Sequence, residues 1–339
     1  MILLDETCQP RADKITVEPA SARRWAVILA GGEGVRLRTL TQLVSGADTP
    51  KQFCPLLGGR TLLAQTRQRI ARGVSPERTV FVMLRSHERF YANELKNVSS
   101  DRVIAQPEGR GTLPAILASL IKVVRQDPDA LVAFFPSDHH YSEEDRFVSG
   151  VELAFEAAEA NPESVILLGV AAKHAETEYG WIEAEPAIST ESSHGLLKVK
   201  RFWEKPSVRT AHELLLRGCV WNTFVMLGRA GAFLEMIRSS IPDIFMLFEP
   251  LLQGRLMDES KFTEMLGRIY DRVPEADFSK LVLSQLPDRL GVWCLGDVGW
   301  NDLGDPRRVL SVLSEAGVEN EWMNLWNERF SVTAAGQGN

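Results

Sequence analysis

The chain has 339 residues, 45% of them hydrophobic and 24% charged, the composition of a globular protein able to bury one large core or two smaller ones. A formal net charge of −7 excludes the broadly basic surface that grips nucleic acid, so a phosphorylated substrate needs a local cluster of cations. Cys8, Cys54, Cys219 and Cys294 lie far apart without a C-x-x-C pair, which excludes a disulfide framework and a zinc site.

Residues 1–24 read as a polar, aperiodic lead-in without the apolar core of a signal peptide. No later apolar run approaches the roughly 18 residues of a membrane span. A reduced, cytoplasmic setting without membrane or nucleic-acid partners is expected. Trp25 to Leu29 suits a buried strand and runs into Ala30-Gly31-Gly32-Glu33-Gly34, followed by Arg36 and Arg38. Glycine lacks a Cβ and lets backbone N–H groups approach an anion. The spacing of Leu37 and Leu40 predicts a helix whose positive end faces the same spot. Pro50-Lys51-Gln52-Phe53 adds another cation, so the stretch reads as a phosphate-handling loop. It is not a P-loop, which ends in Gly-Lys-Ser/Thr. Nor is it the dinucleotide fingerprint, because Leu37 occupies the third glycine position and no acid ends a second strand about 20 residues on.

Strands are then predicted at Thr79 to Leu84, Val103 to Ala105, Leu131 to Phe135 and Val165 to Val170, and helices at Thr61 to Arg72, Thr112 to Val124 and Glu144 to Ala160. This alternation predicts an α/β fold, a Rossmann-like, mostly parallel sheet with helices on both faces and ligands at the carboxyl ends of its strands. Tyr179 to Glu185 and Leu196 to Phe202 alternate like half-exposed strands and suggest an antiparallel addition. Ser207 to Arg217 and Ala230 to Ser239 read as helices, and Gly291 to Leu295 as a strand. Val220-Trp221-Asn222-Thr223 reads as a binding loop. With no repeat or linker, residues 25–315 are expected to form one elaborated domain, followed by a tail over 316–339.

Three clusters carry chemistry. Phe134-Phe135-Pro136-Ser137-Asp138-His139-His140 puts Asp138 where a strand ends, a position suited to a hard cation such as Mg²⁺ that bridges phosphates. A turn or N-cap aspartate is the alternative there, and no third ligand makes His139 and His140 a zinc site. Gly299-Trp300-Asn301-Asp302-Leu303-Gly304 offers a second carboxylate, Asp302, which spacing alone does not pair with Asp138. In Val199 to Pro206, strand alternation directs Lys205 toward a phosphate and Glu204 toward a hydroxylated ligand, with a solvated Lys–Glu pair as the alternative.

Taken in order, these motifs resemble the sugar-1-phosphate nucleotidyltransferases, most closely their mannose-1-phosphate guanylyltransferase branch. The resemblance spans roughly Trp25 to Val309. The signature loop L-A-G-G-x-G-x-R-L stands at Leu29 to Leu37, P-K-Q-F at Pro50 to Phe53, and a guanylyl-type E-P-x-G-R-x-T-A-P-A-I at Gln106 to Ile116. S-D-H, Y-G-x-I, F-x-E-K-P and W-N follow in family order, and the closing W-S-D-V/L-G element is Trp300 to Gly304. The chain departs from the pattern at Val35, Arg38 and Thr39, in a longer spacer over Leu43 to Thr49, and at Gln106, which replaces an acid.

The resemblance implies a nucleotide-diphospho-sugar transferase fold and in-line transfer of a guanylyl group from GTP to mannose 1-phosphate, releasing pyrophosphate. It implies that Arg36 and Lys51 hold the triphosphate with Leu29, Ala30, Gly31, Gly32 and Gly34, while Gln106, Gly109 and Arg110 lie near base and ribose. Asp138 and Asp302 would carry Mg²⁺. Gly180, Glu204 and Asn222 would meet the sugar, and Lys205 its phosphate. Another nucleotide or sugar phosphate, such as a glucose or heptose phosphate, a non-catalytic regulatory role, and assembly into a homo-oligomer remain open.

Overall fold

The apolar run before the glycine loop forms β1 (Arg24–Leu29), with Trp25 to Ile28 buried. The computed structural model describes residues 23–185, 195–254 and 257–331. Most of the expected lead-in, with Cys8, and the end of the expected tail from residue 332 lie outside the described residues.

The strands after β1 are β2 (Thr79–Leu84), β3 (Val103–Gln106), β4 (Leu131–Pro136), β5 (His140–Tyr141), β6 (Val165–Ala171), β7 (Gly180–Ala184), β8 (Leu196–Glu204), β9 (Val220–Arg229), β10 (Leu290–Cys294) and β11 (Trp300–Asn301). Among the described residues, one nine-stranded sheet has the order β3-β2-β1-β4-β9-β6-β10-β8-β7, and β5 pairs with β11 in a separate ribbon. The β3-β2-β1-β4 half is parallel, as fully apolar strands between two helical layers should be. β9 is antiparallel to both β4 and β6, and β7 and β8 extend the far edge antiparallel. The sheet is thus mixed and mostly parallel with an antiparallel addition, as expected.

The helices are α1 (Arg38–Ser45), α2 (Leu62–Ile70), α3 (Glu88–Tyr91), α4 (Thr112–Val124), α5 (Glu144–Ala160), α6 (Val208–Leu216), α7 (Ala230–Ser240), α8 (Pro242–Gln253), α9 (Glu259–Tyr270), α10 (Pro306–Glu315) and α11 (Glu321–Ser331). Strand alternation divides the core. Val27, Val82, Val132 and Phe134 pack under α4, α7, α8 and α9. Ala26, Ile28, Phe81, Ala133 and Phe135 pack under α2, α5 and α6. A third apolar cluster joins Leu37 and Leu40 to Leu303, Val309, Val312 and Leu313, with Trp322, Met323 and Trp326 against it. This cluster fastens the segment after the glycine loop to the C-terminal helices. No helix among the described residues is long and apolar enough to cross a membrane.

Two readings need correction. Val220 to Thr223 is not a loop but the start of β9, a central strand. The helix expected straight after the glycine loop begins only at Arg38. Gly34 at φ 62° leads into a 3₁₀ turn over Val35–Leu37, and Leu37 at φ −102°, ψ 1° breaks it from α1.

Candidate active site

The glycine loop is held from both sides. The Ala30 N–H donates to the Val82 carbonyl (2.8 Å), and the buried Gln52 amide donates to the carbonyls of Ala30 (2.9 Å) and Gly32 (2.8 Å). A Cβ on Gly31 would lie 2.7 Å from the Gln106 amide nitrogen, so glycine is what lets these two segments touch.

Beside the loop opens a cleft of about 320 Å³ whose lining includes Leu29, Gly31, Gly32, Gln106, Gly109 and Asp138. Sequence reasoning gathers these residues from three distant segments. Gly111 and Thr112 of the guanylyl-type segment line the same space, as do His139 and Phe224, to which sequence reasoning gives no binding role. Gln106 is buried, with its carbonyl oxygen accepting from the Tyr270 hydroxyl at 2.7 Å. Other expected residues stand back. Ala30 is buried within the loop, and a Cβ on Gly34 would face the Lys51 backbone at 3.1 Å. Arg110 pairs with Glu108 at 2.6 Å, and Arg36 pairs with Glu178 at 3.2 Å on the exposed turn.

The far wall is clamped by residues 276–278, a segment without a sequence signal. Leu113 N–H donates to the Ala276 carbonyl (3.0 Å), Ala276 N–H to the Arg110 carbonyl (3.0 Å), and Phe278 N–H to the Thr112 hydroxyl (2.8 Å). Gly111 sits between them at φ 79°, where a Cβ would come within 2.4 Å of the Ala276 oxygen.

The ribbon of β5 and β11 brings the two aspartates together. Asn301 pairs with His140 in antiparallel register, so the next residues outward, Asp302 and His139, are neighbours, and Asp138 follows. Lys51 stands between the two chain segments. Its Nζ lies 3.0 Å from the Asp138 carboxylate and donates to the backbone carbonyls of Asp302 (2.8 Å) and Leu303 (3.3 Å). His139 is half-buried, and desolvation of its ring pushes its pKa down. Trp300 donates to its Nδ1 at 3.2 Å, which assigns the proton to Nε2, 3.9 Å from Asp138.

Asp302 is fixed by a network that sequence reasoning does not find. Its Oδ1 accepts from the Tyr179 hydroxyl (3.1 Å), the Gly304 N–H (2.9 Å) and Arg308 Nη1 (2.8 Å). Arg308 also bonds Glu176 at 2.6 Å and lies over the Tyr179 ring at 4.6 Å. Burial favours the neutral acid, yet Arg308, Lys51 and the Gly304 N–H outweigh it and hold the Asp302 carboxyl below its ordinary pKa.

Gly180, Glu204 and Asn222 stand side by side on β7, β8 and β9. Gly180 is the cross-strand partner of Glu204, and a Cβ there would lie 3.2 Å from the Glu204 carboxylate and 3.3 Å from Asn222. Burial first, then the charge of Asp277, pushes the Glu204 carboxyl up to about 7, with Lys205 opposing. The Lys205 ammonium is exposed, 3.8 Å from Glu204. The Asn222 side-chain oxygen accepts from the Phe224 N–H at 3.2 Å. Among the described residues, Lys205 (φ 46°), Phe224 (φ 62°) and Leu303 (φ 49°) are the non-glycine residues in left-handed backbone; they lie beside Glu204, on the cleft and against Lys51 respectively. Each costs about 1–2 kcal/mol, strain that persists where the surroundings demand it.

Among the described residues, no group of three or more His, Cys, Asp or Glu side chains could hold a metal ion. The aspartates nevertheless fit a hard divalent ion that takes one or two carboxylate oxygens from protein and the rest from phosphates. Asp138 commits one oxygen to Lys51 and Asp302 commits one to its three donors, leaving the second oxygen of each.

A nucleotidyl transferase family model matches residues 25–317. The chain belongs to the nucleotidyl transferase family. It is 31% identical over 297 residues to the xanthan biosynthesis protein XanB of Xanthomonas campestris pv. campestris, covering 87% of this chain and 60% of that protein. It is 30% identical over 290 residues to a mannose-1-phosphate guanylyltransferase of Escherichia coli K12, covering 84% and 59%. This nucleotidyl transferase chain thus spans about 60% of the length of the curated relatives it matches. A crystal structure described as a mannose-1-phosphate geranyltransferase from Thermus thermophilus superposes with a TM-score of 0.73 at 29% identity, covering 85% of this chain and 79% of that one. A Helicobacter pylori structure described as a mannose-6-phosphate isomerase, with a TM-score of 0.64 at 22% identity over 82% and 99%, shows the fold alone. The fold is that of the nucleotide-diphospho-sugar transferases, as the resemblance implied.

Proposed function

We propose that the chain transfers a guanylyl group from GTP to mannose 1-phosphate, giving GDP-mannose and pyrophosphate. The observation that carries this reading is the convergence of Lys51, Asp138 and the Asp302 segment beside the glycine-lined cleft. The guanylyl-type segment Gln106 to Ile116, the E. coli relative named mannose-1-phosphate guanylyltransferase and the grouping of Gly180, Glu204 and Asn222 support the choice of substrates.

The attacking oxygen is already anionic, so the reaction needs no protein nucleophile. It needs relief of repulsion between two phosphates and alignment of the attacking oxygen with the α-phosphorus. Backbone N–H groups of Gly31, Gly32 and Gly34 with Arg36 and Lys51 hold the triphosphate, and Gln106, Gly109 and Arg110 face the nucleoside. Lys205 meets the phosphate of the sugar, while Glu204 and Asn222 accept and donate hydrogen bonds to its hydroxyls. Nucleotidyltransferases of this family use a divalent metal, and Asp138 and Asp302 would hold it, with Mg²⁺ the ion matching their oxygen chemistry; when bound it supplies charge neutralisation between the phosphates.

Pyrophosphate release across a matrix of nucleoside triphosphates and sugar 1-phosphates with Mg²⁺ tests the reading. Highest kcat/KM for GTP with mannose 1-phosphate is expected. A different best pair reassigns the substrates, and no release from any pair sinks the enzymatic reading in favour of binding without transfer.

A further inference from the structure

β9 carries a distortion where it borders the cleft. Leu167 pairs with Met226, but Gly169 pairs with Asn222, so Thr223, Phe224 and Val225 together stand opposite Leu168. The Thr223 hydroxyl fills the gap, donating to the Leu168 carbonyl at 2.8 Å and accepting from the Val225 N–H at 3.2 Å. Bulges of this kind re-aim side chains beside functional sites. Here the apex is Phe224 at φ 62°, a conformation that glycine adopts freely and a bulky side chain resists. Phe224 is only half-buried and lines the cleft with Pro136 and Asp138, while its own N–H is tied to the Asn222 side chain. It also packs against the apolar core, so the left-handed backbone is the cost of keeping a large side chain between core and cleft, where glycine would sit without strain.

We propose that Phe224 determines which epimer of a sugar 1-phosphate the site accepts, its ring standing as an apolar wall of the cleft next to Asn222 and its neighbours Gly180 and Glu204. This rests on the proposed transfer to a sugar 1-phosphate. An aromatic face packs against the C–H groups of a pyranose. An axial hydroxyl turned toward it loses water without gaining a hydrogen-bond partner, which is unfavourable. The ring therefore sorts hexoses by which face is free of axial hydroxyls, a choice the polar groups of Glu204 and Asn222 do not make alone.

Binding of mannose, glucose and galactose 1-phosphates is measured by calorimetry with Mg²⁺ and a non-hydrolysable GTP analogue, in the wild type, Phe224→Leu and Phe224→Gly. The wild type is expected to prefer one epimer at least tenfold, the glycine variant to bind all three within threefold, and the leucine variant to fall between. Phe224→Gly should also melt above Phe224→Ala, the reverse of the order at an ordinary strand position. The wild-type ratio surviving in Phe224→Gly, a wild type with no preference or no binding, or an alanine variant that melts higher each overturns the proposal. Binding ratios do not depend on turnover, so pyrophosphate release with GTP and mannose 1-phosphate judges the proposed reaction separately.

Discussion

Lys51 and Asp138 form an ion pair at 3.0 Å in which both side chains are mostly shielded from water. Under the proposed reaction, an incoming triphosphate would compete with Asp138 for the Lys51 charge and release Asp138. Asp138→Asn keeps the size and removes the charge. The expected result is a loss of about a hundredfold or more in kcat, some 3 kcal/mol, with an unchanged circular dichroism spectrum. A kcat within threefold of wild type would remove Asp138 from the catalytic role.

Arg308 answers Glu176 and Asp302 at once, and all three side chains are less than a fifth exposed. Arg308→Ala leaves two shielded carboxylates without their cation and should destabilise the fold by about 3 kcal/mol in urea unfolding. Arg308→Lys recovers only part, because one ammonium lacks the planar fork that reaches both acids. Equal stability of the alanine variant and wild type would contradict this.

Glu204 titrates near 7 in the folded chain, above its ordinary carboxyl value. A raised carboxyl pKa gives stability that is complete below the unfolded value and is lost as pH rises through the folded one. Relative to Glu204→Gln, the wild type should lose about 2 kcal/mol between pH 4.5 and 7, read from unfolding midpoints. Over the same window the ionised carboxylate becomes the stronger acceptor for sugar hydroxyls, so KM for the sugar phosphate should fall with pH in the wild type but not in the variant.

Lys205 projects an exposed ammonium from left-handed backbone beside Glu204. Lys205→Ala should raise KM for the sugar phosphate about tenfold or more, with KM for the nucleotide nearly unchanged. Steady-state kinetics with each substrate varied in turn separates the two, and equal changes in both would place Lys205 elsewhere.

Gly111→Ala places a Cβ 2.4 Å from the Ala276 oxygen at φ 79°. A loss of about 2 kcal/mol or more in stability is expected, together with weaker nucleotide binding by calorimetry, because the 276–278 clamp is pushed off the wall of the cleft. A variant as stable as wild type would show that the clamp yields freely.

The apolar runs and helical periods at β1, β2, α4 and α5 were legible because they lie in continuous layers, where spacing reflects burial directly. β9 was hidden by its own bulge. Asn222, Thr223 and Phe224 break the alternation that marks a strand, and the same break puts Phe224 on the cleft. The meeting of Asp138 and Asp302 comes from β5 and β11, two residues each, too short for any period to register. Nothing local tells that Arg308, in the first turn of α10 behind the Asp305 cap, reaches back to Asp302. His139 fails as a zinc ligand in sequence reasoning, and its place depends on Trp300, which only the ribbon brings near.

Among the described residues β5 pairs with β11, so the ribosome must add some 160 residues after His140 before that ribbon can close. The far wall of the cleft at residues 276–278 also emerges late, so a nascent chain holding only β1 to β4 lacks both that wall and the second aspartate. The site is thereby among the last parts of the molecule to be finished during translation.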